Sequence, residues 1–178
     1  MSVNLNNLIE KASELGIEAY PLESEDIAVE NRISLKCAFG CASYGKRLSC
    51  PPHIPSIDEF RKILGEYSKA LLLVEVHDTK AEPDLVKAWS RLRKNSFHKM
   101  LELEREAFRK GFTYAHLLRP GSCNECEKCG KSCAKPQLRR FAPEAVGINL
   151  PEVMKKVGLE LEFRKPGKTS CLGILLVD

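Results

Sequence analysis

The chain has 178 residues, a formal net charge of +4 and 43% hydrophobic residues. This length and apolar content suffice for one folded unit, and we predict a single domain over residues 1–178. The charged residues are dispersed rather than gathered into a basic stripe with interleaved aromatic residues, which argues against nucleic-acid binding. The sequence opens on polar residues and has no apolar run long enough to cross a membrane, so we expect a cytoplasmic protein with no membrane contact.

The predicted elements alternate between helices and strands. Apolar residues at helical spacing predict helices over 5–15, 57–67, 82–110 and 149–157. Apolar or alternating runs predict strands over 17–20, 26–35, 70–76, 113–118, 159–163 and 171–177. Ser56 and Glu59 carry the signature of a capping box at the start of the second helix. The order indicates an α/β sandwich of helices on a small mixed sheet, with cysteine-rich metal-binding loops at 36–55 and 119–136.

The densest group of candidate ligands is a run of four cysteines in the second loop. Their spacing is C-x2-C-x2-C-x3-C, which bacterial-type ferredoxins use to bind [4Fe-4S] clusters. A zinc site usually combines one C-x2-C pair with a second, distant pair, so zinc is the alternative, followed by disulfides or free thiols. In a cytoplasmic protein, clustered cysteines favour metal binding over structural disulfides. These candidate ligands are Cys123, Cys126, Cys129 and Cys133.

A second group of cysteines lies in the first loop. Cys37, Cys41 and Cys50 are surrounded by glycine and proline, which allow a tight wrap around an ion or cluster. Three cysteines need a fourth ligand or leave the site open. The candidates are Cys171, His53 and a cysteine of the other loop. We predict Cys171, because the eight cysteines then divide into two sets of four.

Two segments resemble the signatures of a known family. They are Cys41-Ala-Ser-Tyr-Gly-Lys-Arg-Leu-Ser-Cys50-Pro-Pro-His and Gly121-Ser-Cys-Asn-Glu-Cys-Glu-Lys-Cys129. Both are similar to motifs of a "predicted metal-binding protein" family of anaerobic microbes, a domain of unknown function, and the likeness spans about residues 35–178. The resemblance implies no known reaction, and Cys171 lies outside its motifs. It implies metal binding through Cys37, Cys41, Cys50, Cys123, Cys126, Cys129 and Cys133.

Three functional interpretations follow. The first is an electron-transfer or redox accessory protein that carries one or two [4Fe-4S] clusters and meets a redox partner protein. The second is an enzyme or maturation factor in which an iron without a fourth thiolate acts as a Lewis acid. The third is a zinc-stabilised binding module.

Cys133 either completes the site of its own loop or crosses to the other loop.

The remaining chemically interesting side chains receive ordinary roles. His77, His98 and His116 are isolated in the sequence, and we interpret His116, which lies in a predicted strand, as a core or surface histidine rather than a ligand. Trp89 and Met100 lie on the apolar stripe of the long predicted helix, so we expect them in the core.

Overall fold

The computed structural model of the chain describes residues 5–160 and 167–178. Its helices are α1 (Asn6–Glu14), α2 (Ser34–Gly40), α3 (Ile57–Leu64), α4 (Leu85–Arg109) and α5 (Leu150–Lys156). Its strands are β1 (Glu18–Glu23), β2 (Lys69–Asp78), β3 (His116–Leu118) and β4 (Lys168–Val177). The predicted α/β class is confirmed.

The strands form one sheet in the order β1-β2-β4-β3. All three pairings are antiparallel, whereas the sequence analysis predicted a mixed sheet. β2 and β4 pair along their whole length, from Lys69 opposite Val177 to Asp78 opposite Lys168. β3 is short and covers only Ile174–Leu176 of β4. The first half of β4 therefore extends beyond the strand that flanks it.

Helices pack on both faces of the sheet because its strands alternate between two apolar cores. Leu71 and Leu73 of β2 face a core that includes buried residues of α1 and α4. Leu72 and Val74 point the other way, into a core with buried residues of α3 and α5. Successive side chains of a strand point to opposite faces, so the two central strands separate the cores.

The elements with strong local signals lie where they were predicted. The side chain of Ser56 accepts from the Glu59 N–H, and the Glu59 carboxylate accepts from the Ser56 N–H, which confirms the capping box at α3. Met100 is fully buried, as predicted, whereas Trp89 is only half-buried. Residues 161–163 of the strand predicted over 159–163 lie outside the described residues.

The prediction of an extended segment over 26–35 is wrong for its second half, whereas Val29 in its first half forms a β-bridge with Ile148. A single turn of 3-10 helix covers Asn31–Ile33 and leads directly into α2, so the start of the predicted loop 36–55 is also helical. Between Asn31 and Gly40, Ile33 is the only buried residue. Because so few of its side chains are buried, the segment lacks the repeated apolar spacing by which a helix is recognised in sequence.

Candidate metal centre

The first cysteine loop begins inside a helix. Cys37 lies in α2 and is half-buried, and the exposed Cys41 directly follows the last residue of α2, Gly40. Turns then lead to the buried Cys50. In these turns the Tyr44 N–H donates to the Cys41 carbonyl over 3.1 Å, and the Cys50 N–H donates to the Arg47 carbonyl over 3.0 Å. The chain therefore folds back within the loop instead of running on as an extended segment.

A cysteine of the second loop joins this group. Burial, with smaller contributions from Cys41, Cys37 and Cys123, raises the pKa of the Cys50 thiol to about 11. Burial also raises the pKa of Cys37, and the charges of Cys41 and Glu144 act in the same direction. Charges shift a pKa in this way only when they are near. Cys123 is thus near Cys50, on which Cys37 and Cys41 of the first loop also act.

The second loop has no regular helix or strand between β3 and a 3-10 turn that begins at Pro136, and α4 anchors it. The Asn124 side chain donates to the Ser90 carbonyl of α4 over 2.8 Å. Arg119 in turn donates to the Asn124 side-chain oxygen over 2.9 Å. These contacts orient the segment that contains four half-buried cysteines, which are Cys123, Cys126, Cys129 and Cys133.

Direct hydrogen bonds join the two loops. The Ser43 hydroxyl lies 3.0 Å from the Ser122 hydroxyl. The Arg47 guanidinium donates to the Cys126 carbonyl oxygen over 2.9 Å. Arg93 of α4 also donates to the Ser122 carbonyl. The structure thus brings together the two cysteine loops that the sequence placed far apart.

Two arginines place buried positive charge beside these thiols. The Arg119 guanidinium lies 3.9 Å from the centre of the Phe97 ring, and burial lowers the pKa of both Arg93 and Arg119. The charge of Cys123 opposes that shift in each case. Within the described chain, Arg93 Nε and Arg119 Nε and Nη1 are buried without a hydrogen-bond partner. Unpaired cationic donors of this kind suit an anionic group, such as a thiolate-bound cluster.

Glu125 is a further organising residue that the sequence analysis missed. Its buried carboxylate lies 3.0 Å from His98 Nε2, 3.5 Å from Arg119 and 3.9 Å from Lys94. Its backbone carbonyl accepts from Lys135 over 3.2 Å. The sequence offered one signal for this role, an acidic residue between two ligand-type cysteines. The partners of Glu125 on α4 are distant in sequence, so the sequence could not identify them. His98, although isolated in the sequence, thus contacts the second loop.

Cys171 lies in β4, on the face of the sheet that α4 covers. It is fully buried, and a hydrogen bond links it to Ser96, whose hydroxyl lies 2.9 Å from His77 Nε2. Burial raises the pKa of Cys171 to about 11. Cys171 is not among the groups that act on Cys50, whereas Cys123 is. The arrangement favours Cys123 over Cys171 as the fourth member of the first set, and the ligand role of Cys171 stays a prediction.

His53, the other candidate fourth ligand, is exposed and turned toward its own loop. Its Nε2 atom lies 3.4 Å from the Gly45 carbonyl oxygen, and its backbone carbonyl accepts from Arg139 over 3.0 Å. The imidazole is therefore engaged with the backbone beside the cysteines.

The ligand atoms suit a cluster in their chemistry. All eight cysteines belong to the described residues and are free thiols. Among those residues, no three histidine, cysteine, aspartate or glutamate side chains approach closely enough to hold a metal ion. Cysteine sulfurs are soft ligands that select zinc, copper(I) or iron–sulfur clusters. In a cluster each thiolate binds its own iron, so its sulfurs surround the group rather than meeting at one atom.

The chain is an α/β protein in which two cysteine-rich loops are hydrogen-bonded to each other. Residues 20–177 match the family described as "Predicted metal-binding protein (DUF2284)", and the chain belongs to this family. No curated protein matches the chain, and no solved structure matches it. In the described part of the chain, no helix combines the length and the apolar character needed to cross a membrane.

Proposed function

We propose that the chain binds one or two [4Fe-4S] clusters through its two cysteine loops and acts in electron transfer or as a redox accessory protein. The observation that carries this proposal is that Cys123 of the second loop acts on Cys50, as Cys37 and Cys41 of the first loop do. These four thiols supply a complete four-cysteine ligand set of the type that cubane clusters use. Such a cluster supplies one-electron chemistry at a potential that its surroundings tune.

The surroundings support a redox role. Arg93 and Arg119 place partly unpaired guanidinium groups beside Cys123, and positive charge near a cluster favours its reduced, more negative state. The exposed rim of the two loops is mainly basic, with Lys46, Lys128 and Lys131. A redox partner protein with an acidic surface would be attracted to this rim.

Anaerobic purification followed by iron, sulfide and zinc analysis tests the proposal. We expect iron and acid-labile sulfide in equal amounts, about four or eight of each per chain, and a visible absorption band that bleaches on reduction. Cys50→Ser should lower the iron content, whereas Ser13→Ala on the distant α1 should not. A protein that contains zinc alone, without sulfide, would instead establish the zinc-stabilised module.

One observation favours an enzyme as the second candidate. With Cys171 engaged with Ser96, the loops offer seven cysteines, one fewer than two complete sets. In a two-cluster protein one iron would then lack a thiolate and would be free to polarise a bound molecule. A change in the visible spectrum of the anaerobic protein on addition of a small ligand would support this alternative.

A further inference from the structure

A cavity of about 590 Å³ lies on the α5 side of the sheet, beside the part of β4 that β3 does not flank. Its apolar lining includes Val74 of β2, Leu172 of β4 and Met154 of α5, together with Trp89 of α4. Its volume is within the range of sites that bind small organic molecules. Trp89 is half-buried because one side of it faces this space.

The cavity adjoins the first cysteine loop. Ile33 and Lys36 line it, and Cys37 follows Ile33 by four residues, so helical geometry places Cys37 on the same side of the chain. Pro120 and Gly121, which lead into the second loop, also line the cavity. A molecule in the cavity would therefore lie next to the candidate metal centre.

Glu144 is the distinctive polar group of the cavity. Its side chain lines the space, and its charge acts on Cys37. Burial raises the pKa of Glu144, while a hydrogen bond from its own backbone N–H and the charge of Lys36 lower it. In the described part of the chain, no other side chain is hydrogen-bonded to this carboxyl group. A carboxyl group in an apolar setting is stabilised by a ligand that donates a charged hydrogen bond.

The charged rim favours a cation over an anion. Glu18 and Glu160 line the cavity together with Glu144, against Lys36 and Lys168. Lys36 is exposed and has no ion pair within 4.0 Å among the described residues, so its flexible side chain can turn toward solvent. The enclosed carboxyl group of Glu144 is thus a better-defined partner for a ligand than the exposed Lys36.

We propose that this cavity binds a small organic molecule with an apolar, ring-bearing body and a basic nitrogen that pairs with Glu144. The apolar walls remove the body from water, and the ring lies against Trp89. Binding itself does not depend on which metal the cysteines hold. That this molecule is also a substrate rests on the second candidate function, an enzyme with an iron that lacks a thiolate.

The single tryptophan of the chain lines the cavity, so its fluorescence reports occupancy directly. We would titrate the holoprotein with 4-phenylbutylamine, and with 4-phenylbutanol and 4-phenylbutyrate as neutral and anionic analogues of similar shape. The amine should change Trp89 emission saturably and bind about tenfold more tightly than the alcohol. The anion should bind most weakly.

Two variants assign the signal to the cavity. Glu144→Gln should remove the preference for the amine while keeping the affinity for the alcohol, and Glu14→Gln on α1 is its matched control. Val76→Phe adds bulk at a half-exposed position of the cavity wall and should weaken all three probes. Iron content is measured in parallel, so loss of metal and loss of ligand binding are scored separately.

The proposal is overturned if none of the probes gives a saturable change, or if the alcohol or the anion binds as tightly as the amine. It is also overturned if Glu144→Gln leaves the amine preference intact. Zinc in place of iron, with amine binding preserved, would contradict the proposed function and leave the ligand site standing.

Discussion

Arg47 and Cys126, 79 residues apart in sequence, are joined by a hydrogen bond of 2.9 Å from a guanidinium nitrogen to a backbone carbonyl oxygen. The contact orients a peptide group inside the C-x2-C-x2-C run from a side chain of the other loop. It links the two cysteine loops directly.

Arg47→Ala should therefore loosen both loops. We expect a loss of about 1 kcal/mol in the free energy of unfolding, because a charge-assisted hydrogen bond in a half-buried setting disappears. We also expect faster loss of iron to a chelator. Lys46→Ala is the control, since Lys46 is exposed and neighbours Arg47 in the chain. Equal chelation rates for both variants would show that the contact does not support the metal centre.

Changes of Cys123 and Cys171 separate the two proposed fourth ligands. Cys123→Ser should lower the iron content to the same extent as Cys50→Ser, because the two thiols lie in one group. Cys171→Ser should leave the iron content near that of the native protein. A drop in iron with Cys171→Ser and none with Cys123→Ser would restore Cys171 as the ligand and contradict the assignment of Cys123.

The metal-free chain should lose stability at alkaline pH, in part through Cys171. Burial raises the pKa of this thiol from 9.0 to about 11. A group whose pKa is higher in the folded than in the unfolded chain contributes its full stability below the unfolded pKa. That contribution is lost as the pH rises toward the folded pKa.

For Cys171 the window runs from pH 9 to pH 11, and the loss across it should be about 2 kcal/mol. Urea unfolding of the metal-free native chain and of Cys171→Ser should show a shallower decline for the variant. Other groups titrate in both chains, so the difference between the two curves isolates the thiol. Parallel curves would mean that Cys171 does not ionise on unfolding in this window.

Gly173→Ala should destabilise the junction of β4 with β3 and α4. A Cβ atom at this position would lie 2.8 Å from Met100 Sδ and 3.0 Å from the Leu118 carbonyl oxygen. We expect a cost of about 1–3 kcal/mol, because the backbone and a buried side chain must move. Gly65→Ala is the control, since its nearest atoms lie 3.4 Å and 3.5 Å away. Similar thermal midpoints for the two variants would argue against this close packing.

Local signals in the sequence carried the prediction of α3, β2 and the two cysteine loops. The Ser56–Glu59 capping box and the apolar run of β2 each depend on neighbours in the chain. The proximity of Cys123 to Cys50 was one of several open possibilities, because the spacing of residues in a sequence does not report which distant segments meet in the fold. Arg93 was hidden for the same reason, since its position on a charged helix resembles that of a solvated residue.

The bonds between the loops also bear on how the protein acquires its metal. The hydrogen bonds Ser43–Ser122 and Arg47–Cys126 form only when both loops are ordered. Order in one loop therefore stabilises order in the other. When a first metal ion or cluster binds, the loops lose conformational entropy and the remaining cysteines become ordered. A second metal ion or cluster would then bind more readily, because that entropy has already been lost. Chains loaded at only one of two positions should then be scarce, and preparations should separate into empty and full populations.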